Sequence, residues 1–137
     1  MKRKLSIILA CAFLFVGVFS TAVYANDVSL LNNNTAMTST NFVISDTGMA
    51  TVNFEYYGYE GITTGATVTI LIEKRNLLFF WPDVVEKTYI LNGYSYYDAF
   101  YYQLEETGTY RCTVTYTVSG TGGEDDVIPF ERTVEYS

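Results

Sequence analysis

Histidine is absent from the 137-residue sequence, and cysteine and proline occur only twice each. Without histidine, the chain lacks the commonest metal ligand of proteins and their usual general base. Cys11 lies in an apolar N-terminal stretch, so the rest of the chain holds the single thiol of Cys112 and cannot form an internal disulfide. These shortages argue against an enzyme. We therefore predict no catalytic residues, no cofactor and no metal site.

The first 25 residues have the layout of a secretory signal peptide. A basic cap at residues 2–4 precedes an apolar run over residues 5–18, and small residues lead to Val23-Tyr24-Ala25. The apolar run is shorter than the ~20 residues that a membrane-spanning helix needs. We predict a signal peptide over residues 1–25 and a secreted, extracellular protein without a stable membrane anchor.

A lipoprotein leader is the less favoured alternative. The segment Ile8-Leu9-Ala10-Cys11 weakly resembles the motif that precedes a lipidated cysteine. However, Leu9 is bulky for its position, and the apolar run continues past Cys11 to Val18. Lipidation at Cys11 would therefore cut the leader in its middle.

The chain that follows the leader is strongly acidic. The sequence has eight lysines and arginines against 15 aspartates and glutamates, and three of the basic residues lie in the leader. Cleavage leaves 112 residues with five basic and 15 acidic side chains, a net charge of −10. Such a surface repels the phosphates of nucleic acids, and it keeps a secreted protein soluble. We expect a single-domain monomer that does not bind nucleic acid.

The pattern after Ala25 is that of an all-β domain. Short runs of β-branched and aromatic residues alternate with Gly, Asn and Asp, and none has the 3.6-residue apolar period of a helix. Residues 26–37 are predicted to be a flexible N-terminal arm, and residues 38–137 one domain. Seven short strands favour a two-sheet antiparallel sandwich, with an α+β fold as the alternative. The predicted strands cover residues 38–45, 49–57, 66–75, 84–91, 95–104, 109–119 and 127–136.

Residues 104–112, LEETGTYRC, carry a family motif. Glu106, Gly108, Tyr110 and Cys112 resemble the immunoglobulin-superfamily pattern of an acid, a small residue, tyrosine and cysteine at alternate positions. The resemblance implies an immunoglobulin-like sandwich with a tyrosine corner, in which the Tyr110 hydroxyl bonds to the backbone a few residues upstream. It also implies that Cys112 lies on an inward face of the sandwich.

The chain departs from this family at two core positions. The second strand carries Val52 and Phe54 where the partner cysteine belongs, and Trp81 lies beyond the third strand, which normally holds the core tryptophan. The chain therefore resembles the disulfide-free immunoglobulin-like and fibronectin-like domains of secreted bacterial proteins. The segment 119–136 is also similar to the tails of small uncharacterised proteins of Gram-positive bacteria, a similarity that implies no activity.

We expect Cys112 to be a small buried apolar residue. A disulfide at this place is worth about 2–4 kcal/mol. Roughly fifteen inward apolar side chains at about 1.5–3 kcal/mol each outweigh it. An exposed or dimer-forming thiol is the alternative.

The carboxylates do not form a recognisable site. Glu105 and Glu106 are neighbours at a strand corner, where adjacent side chains point to opposite faces. The acidic run 124–126 follows a glycine-rich stretch and could offer hard oxygen ligands to Ca²⁺. Because it lacks the alternating spacing of a calcium loop, we interpret it as a solvated turn, with calcium as the alternative.

Tyrosines are more numerous than one buried face can hold. Residues 94–102 contain five tyrosines and one phenylalanine, and consecutive tyrosines force one ring outward at each pair. Exposed tyrosines provide amphipathic contact area in interfaces and also stack on sugars. Tyr97 and Tyr101 are therefore candidate partner-binding residues. Cross-strand aromatic pairs that only stabilise the sheet are the alternative.

The most unusual segment is 77–82, Leu-Leu-Phe-Phe-Trp-Pro, which connects the third and fourth predicted strands. Such a connection is normally polar, so these apolar residues either fold back on the domain or form an exposed contact surface. Phe79, Phe80 and Trp81 are the candidate contacts. We predict a secreted, non-catalytic interaction module whose partner is a protein or glycan outside the cell. A carbohydrate-binding module that uses the tyrosines is the alternative.

Overall fold

The computed structural model describes residues 32–137, so the predicted signal peptide and the first part of the predicted arm lie outside the described residues. Seven strands form two antiparallel sheets, ordered β1-β2-β5 and β4-β3-β6-β7. They are β1 (Thr35–Ile44), β2 (Met49–Gly58), β3 (Thr63–Lys74), β4 (Asp83–Asn92), β5 (Ser95–Gln103), β6 (Gly108–Gly120) and β7 (Asp126–Tyr136). The predicted two-sheet antiparallel sandwich is confirmed, and the α+β alternative is wrong for these residues. None of them forms a helix that could cross a membrane.

The two-residue alternation of apolar side chains builds the core. Along β6, every second side chain is buried from Tyr110 to Val118, and threonines occupy most of the positions between them. The second and third strands alternate in the same way. Their buried residues are Ala50, Val52, Phe54 and Tyr56 on β2, and Ala66, Val68, Ile70 and Ile72 on β3.

The N-terminal strand begins earlier than the sequence predicts. It starts at Thr35 rather than Thr38, because the Asp126 carboxylate accepts hydrogen bonds from the Asn33 and Asn34 amides at 2.8 and 2.7 Å. The Thr35 hydroxyl donates to the same carboxylate at 2.8 Å. Residues 35–37 of the predicted arm therefore belong to β1. We name this contact the N-terminal clamp.

Three of the four edge strands carry a residue that disfavours pairing with another chain. Pro129 lies on β7, at the edge of its sheet, where a residue without an amide donor is tolerated. Lys87 on β4 pairs with Ile70, and Asp98 on β5 pairs with Phe54, so both charges lie at core-facing positions of edge strands. Inward-facing charges of this kind oppose edge-to-edge association.

Candidate interaction surfaces

The predicted corner residues lie where β5 passes into β6. The Tyr110 hydroxyl donates a hydrogen bond to the Glu106 carbonyl oxygen at 2.6 Å, and the Glu106 carboxylate pairs with Lys74. Gly108 has a φ of 149°, and an added Cβ would lie 2.7 Å from the Lys74 side chain. Glycine is therefore favoured here both by the positive φ and by the limited space beside Lys74. The corner therefore fixes the crossing between the two sheets.

Cys112 is a free, fully buried thiol on β6. Burial raises its pKa to about 12, which keeps the sulfur protonated at neutral pH. A protonated, inaccessible thiol is a poor nucleophile, so Cys112 acts as a packing residue in the core.

The loop between β3 and β4 displays four apolar side chains to solvent. Leu77 is 98% exposed, and the next three residues are 66–74% exposed. We name residues 77–80 the apolar tip. A contiguous exposed apolar surface of this kind is unusual on a globular domain.

Asn76 organises the backbone of the apolar tip. Its side-chain oxygen accepts hydrogen bonds from the amides of Leu78 at 2.9 Å and Phe80 at 3.0 Å. Its own amide donates to the Phe80 carbonyl oxygen at 2.9 Å, and the Phe79 amide donates to the Asn76 carbonyl oxygen at 3.0 Å. These four bonds close the tip into an ordered turn.

Phe79 has a strained backbone within that turn. Its φ is 63°, and it is the one non-glycine residue with positive φ within residues 32–137. A bulky residue in this region is an outlier, because its Cβ crowds the backbone. Such strain persists only where surrounding bonds enforce it, and it clusters at functional positions.

Trp81 packs back onto the second sheet, unlike the residues before it. The Arg111 guanidinium lies 4.4 Å from the centre of the indole ring. Arg111 also donates two hydrogen bonds, at 2.8 and 3.0 Å, to the carboxylate of Glu73, the residue opposite it in the β3–β6 ladder. The loop therefore divides into the exposed tip, with Phe79 and Phe80, and a half-buried Trp81 that fixes its base.

Basic residues surround the base of the tip. The Arg75 guanidinium lies 5.7 Å from the Phe79 ring centre, and the Arg75 amide donates to the Thr109 carbonyl oxygen at 2.9 Å. With Lys74 and Arg111, three of the five basic residues within residues 32–137 gather here. An open groove of about 590 Å³ lies behind the tip. It is lined by Lys74, Arg75, Asn76, Leu77, Phe79, Pro82, Glu106, Thr107, Gly108 and Thr109.

The two candidate tyrosines form a second surface. Tyr97 and Tyr101 are 65% and 63% exposed on the outer face of β5, with Ala99 between them. Their inward neighbours, Tyr96 and Tyr102, pack against the core. We name the exposed pair the tyrosine face. It lies on the first sheet, whereas the apolar tip extends from the second, so the five candidate contacts belong to separate surfaces.

The acidic run 124–126 is used in part by the fold. Asp126 is nearly buried in the N-terminal clamp, while Glu124 and Asp125 are exposed. Burial raises the pKa of Asp126, but the hydrogen bonds from Asn34, Asn33 and Thr35 lower it by more, so the pKa lies below its usual range. Within residues 32–137, no cluster of three acidic or cysteine side chains has a geometry that could hold a metal ion.

Three residues that support the apolar tip were not predicted from the sequence. The role of Asn76 could have been inferred from the sequence, because an asparagine side chain often bonds to the backbone amide two residues further along a turn. The roles of Glu73 and Arg111 could not have been inferred from the sequence, because their contact depends on the register between β3 and β6.

Comparisons with protein-family models, with curated proteins and with solved structures give no significant match to this chain.

Proposed function

We propose that this protein is an exported, non-catalytic interaction module that contacts a partner outside the cell through the apolar tip. The observation that carries the proposal is the exposure of four consecutive apolar side chains on an ordered, strained turn. Each such side chain gains about 1.5–3 kcal/mol when it is fully buried. The isolated domain does not obtain this gain, whereas a partner would provide it.

The order of the tip strengthens the proposal. The unusual backbone of Phe79 costs about 1–3 kcal/mol, and the bonds of Asn76 maintain it. A tip that is already ordered loses little conformational entropy when it binds. Trp81 stacks on Arg111 and so anchors the base of the tip to the sheet, which also limits the motion of the tip before binding.

The finer class of the sandwich belongs to the proposal. An immunoglobulin-like assignment is supported by the bond from Tyr110 to Glu106 and by the inward position of Cys112 on β6. The strands divide three and four between the sheets because β4 pairs with β3. A constant-type immunoglobulin domain places four strands in the first sheet and three in the second. The resemblance is therefore to a variant of that architecture.

Export and lack of catalysis rest on other observations. The layout of residues 1–25 supports export. The buried, protonated thiol of Cys112 supports a non-catalytic role, because the one cysteine outside the leader is unavailable for chemistry.

Site-specific photo-crosslinking tests the proposal. A benzophenone amino acid replaces Phe79 in one protein and the exposed Ser39 of β1 in a matched control. Both proteins are irradiated with cells and with their surrounding material. We expect adducts at position 79 that are absent at position 39, and their mass identifies the partner class. Equal labelling at both positions, or none at position 79, would show that the tip is not a contact surface.

Glycan binding is the second candidate function. The tyrosine face favours it, because two exposed rings on one strand face provide a platform on which sugars stack. A glycan array separates the two candidates. If this function is right, Tyr97→Ala with Tyr101→Ala abolishes sugar binding, while Phe79→Ser with Phe80→Ser leaves it unchanged. Retention of sugar binding in the tyrosine variant would reject it.

A further inference from the structure

We infer that the apolar tip inserts into the surface of a lipid bilayer with uncharged, zwitterionic head groups. The inference rests on the proposed function, because it takes the tip as the contact surface, and it names the partner as a membrane interface rather than a groove on another protein. Three features of the tip support it: its backbone, its side chains and the residues at its base.

Half of the backbone polar groups of the tip are already bonded within the turn. In hydrocarbon, every amide and carbonyl group must find its partner within the protein. The amides of Leu78, Phe79 and Phe80 are all bonded to Asn76, and the Phe80 carbonyl oxygen accepts the Asn76 amide. Four of the eight backbone donors and acceptors of residues 77–80 therefore have a partner within the turn, which lowers the cost of moving the tip out of water.

The side chains of the tip are suited to a fluid, apolar phase. Residues 77–80 contain no polar side chain, and all four project from one turn into solvent. Protein interfaces combine apolar anchors with hydrogen bonds that fix orientation. The tip offers anchors without such donors, which fits a lipid surface that has no fixed geometry.

The base of the tip has the composition of a membrane interface. Trp81 follows the apolar residues directly, and Lys74 and Arg75 precede them by two or three positions. Tryptophan prefers the depth of the head groups. Long basic side chains bury their stems and extend their charges toward water. From tip to base, the hairpin therefore passes from apolar residues to a tryptophan and basic residues, as a leaflet passes from hydrocarbon to head groups.

The charges near the tip favour zwitterionic over anionic lipid. Lys74 is paired with Glu106 and Arg111 with Glu73, so two of the three cations at the base are neutralised. Recognition of anionic lipid usually requires a cluster of four or more basic residues. The chain after the leader carries a net charge of −10, which repels an anionic surface.

Trp81 makes the inference directly measurable, because it is the only tryptophan of the chain. Protein purified from the medium of cells that express the full chain is titrated with phosphatidylcholine vesicles. We expect co-sedimentation, a blue shift of the Trp81 emission and quenching by brominated lipid. Replacing half of the lipid by phosphatidylglycerol at low salt should weaken binding.

Two double variants provide the contrast. Phe79→Ser with Phe80→Ser should weaken vesicle binding at least tenfold, and Tyr97→Ser with Tyr101→Ser, which removes two exposed rings elsewhere, should leave it unchanged. Circular dichroism confirms that both variants fold. Absence of vesicle binding, or equal loss in both variants, overturns the inference. If position 79 then still crosslinks to a protein, only the lipid assignment fails. If it crosslinks to nothing, the proposed function fails as well.

Discussion

Asn76 and Phe80 are joined by two hydrogen bonds, one from the Phe80 amide to the Asn76 side-chain oxygen at 3.0 Å and one from the Asn76 amide to the Phe80 carbonyl oxygen at 2.9 Å. The pair closes the turn that displays Leu77, Leu78 and Phe79. A short polar side chain therefore determines the shape of an apolar surface.

Asn76→Ala should loosen the apolar tip without unfolding the domain. It removes the acceptor for the amides of Leu78 and Phe80, and we expect a loss of about 1 kcal/mol in the free energy of unfolding. Hydrogen exchange at these two amides should accelerate at least tenfold. Asn76→Asp, which keeps an acceptor, is the control and should retain slow exchange. Unchanged exchange in the alanine variant would show that other contacts order the tip.

Arg111→Lys should release Trp81 from the sheet although it conserves charge. Lysine cannot form the two-pronged bond to Glu73 and stack on the indole ring at the same time. We expect a red shift of the Trp81 emission and a lower free energy of unfolding. Arg111→Ala should lower the free energy of unfolding further, because it leaves the nearly buried Glu73 without this partner. Arg132→Lys, on the exposed last strand, is the control. Wild-type emission in Arg111→Lys would contradict the stacking.

Tyr110→Phe should destabilise the domain by about 1 kcal/mol, because it deletes the hydroxyl that donates to Glu106 at 2.6 Å and leaves that carbonyl without this bond. Urea unfolding measures the loss. Tyr101→Phe removes an exposed hydroxyl from the tyrosine face and should be neutral. Equal stability of the two variants would mean that the corner bond adds nothing.

Stability should depend on pH through the N-terminal clamp. The pKa of Asp126 is lowered in the folded protein, because the hydrogen bonds from Asn34, Asn33 and Thr35 outweigh its desolvation. A lowered pKa contributes stability that is present above the unfolded value of about 3.9 and is lost as the pH falls through the folded value. We therefore expect loss to begin below about pH 5.

Asp126→Asn isolates that dependence. The variant should be about 1–3 kcal/mol less stable at pH 7, because it weakens charge-assisted bonds. Its disadvantage should shrink toward pH 3, because proton uptake by the Asp126 carboxylate in the unfolded wild type removes part of the wild-type stability. Urea unfolding at both pH values gives the comparison. A constant difference between the variant and the wild type would show that Asp126 does not titrate with folding.

The strands could be predicted because local pattern decides them. The alternation of Tyr110, Cys112 and Val114 specifies one buried face regardless of the partner strand. The same rule predicts that one tyrosine of each consecutive pair faces outward, and Tyr97 and Tyr101 do so. Predicted and observed strand ends differ by three residues at most.

Features that depend on distant contacts could not be predicted. The start of β1 is set by Asp126, which lies 91 residues after Thr35 in the sequence. The position of Trp81 is set by Arg111, which reaches it only because β6 lies beside β3. The sequence identifies the apolar segment, but the register between β3 and β6 decides that Trp81 packs against the sheet.

The most direct measurement of the central claim is the binding of fluorescently labelled protein to cells. Wild-type protein is compared with the double variants Phe79→Ser/Phe80→Ser and Tyr97→Ser/Tyr101→Ser, which remove the same number of exposed rings from the two surfaces. If the apolar tip is the contact, the first variant binds at least tenfold more weakly and the second binds like the wild type. Full binding by the first variant and loss by the second would contradict the claim and assign the contact to the tyrosine face.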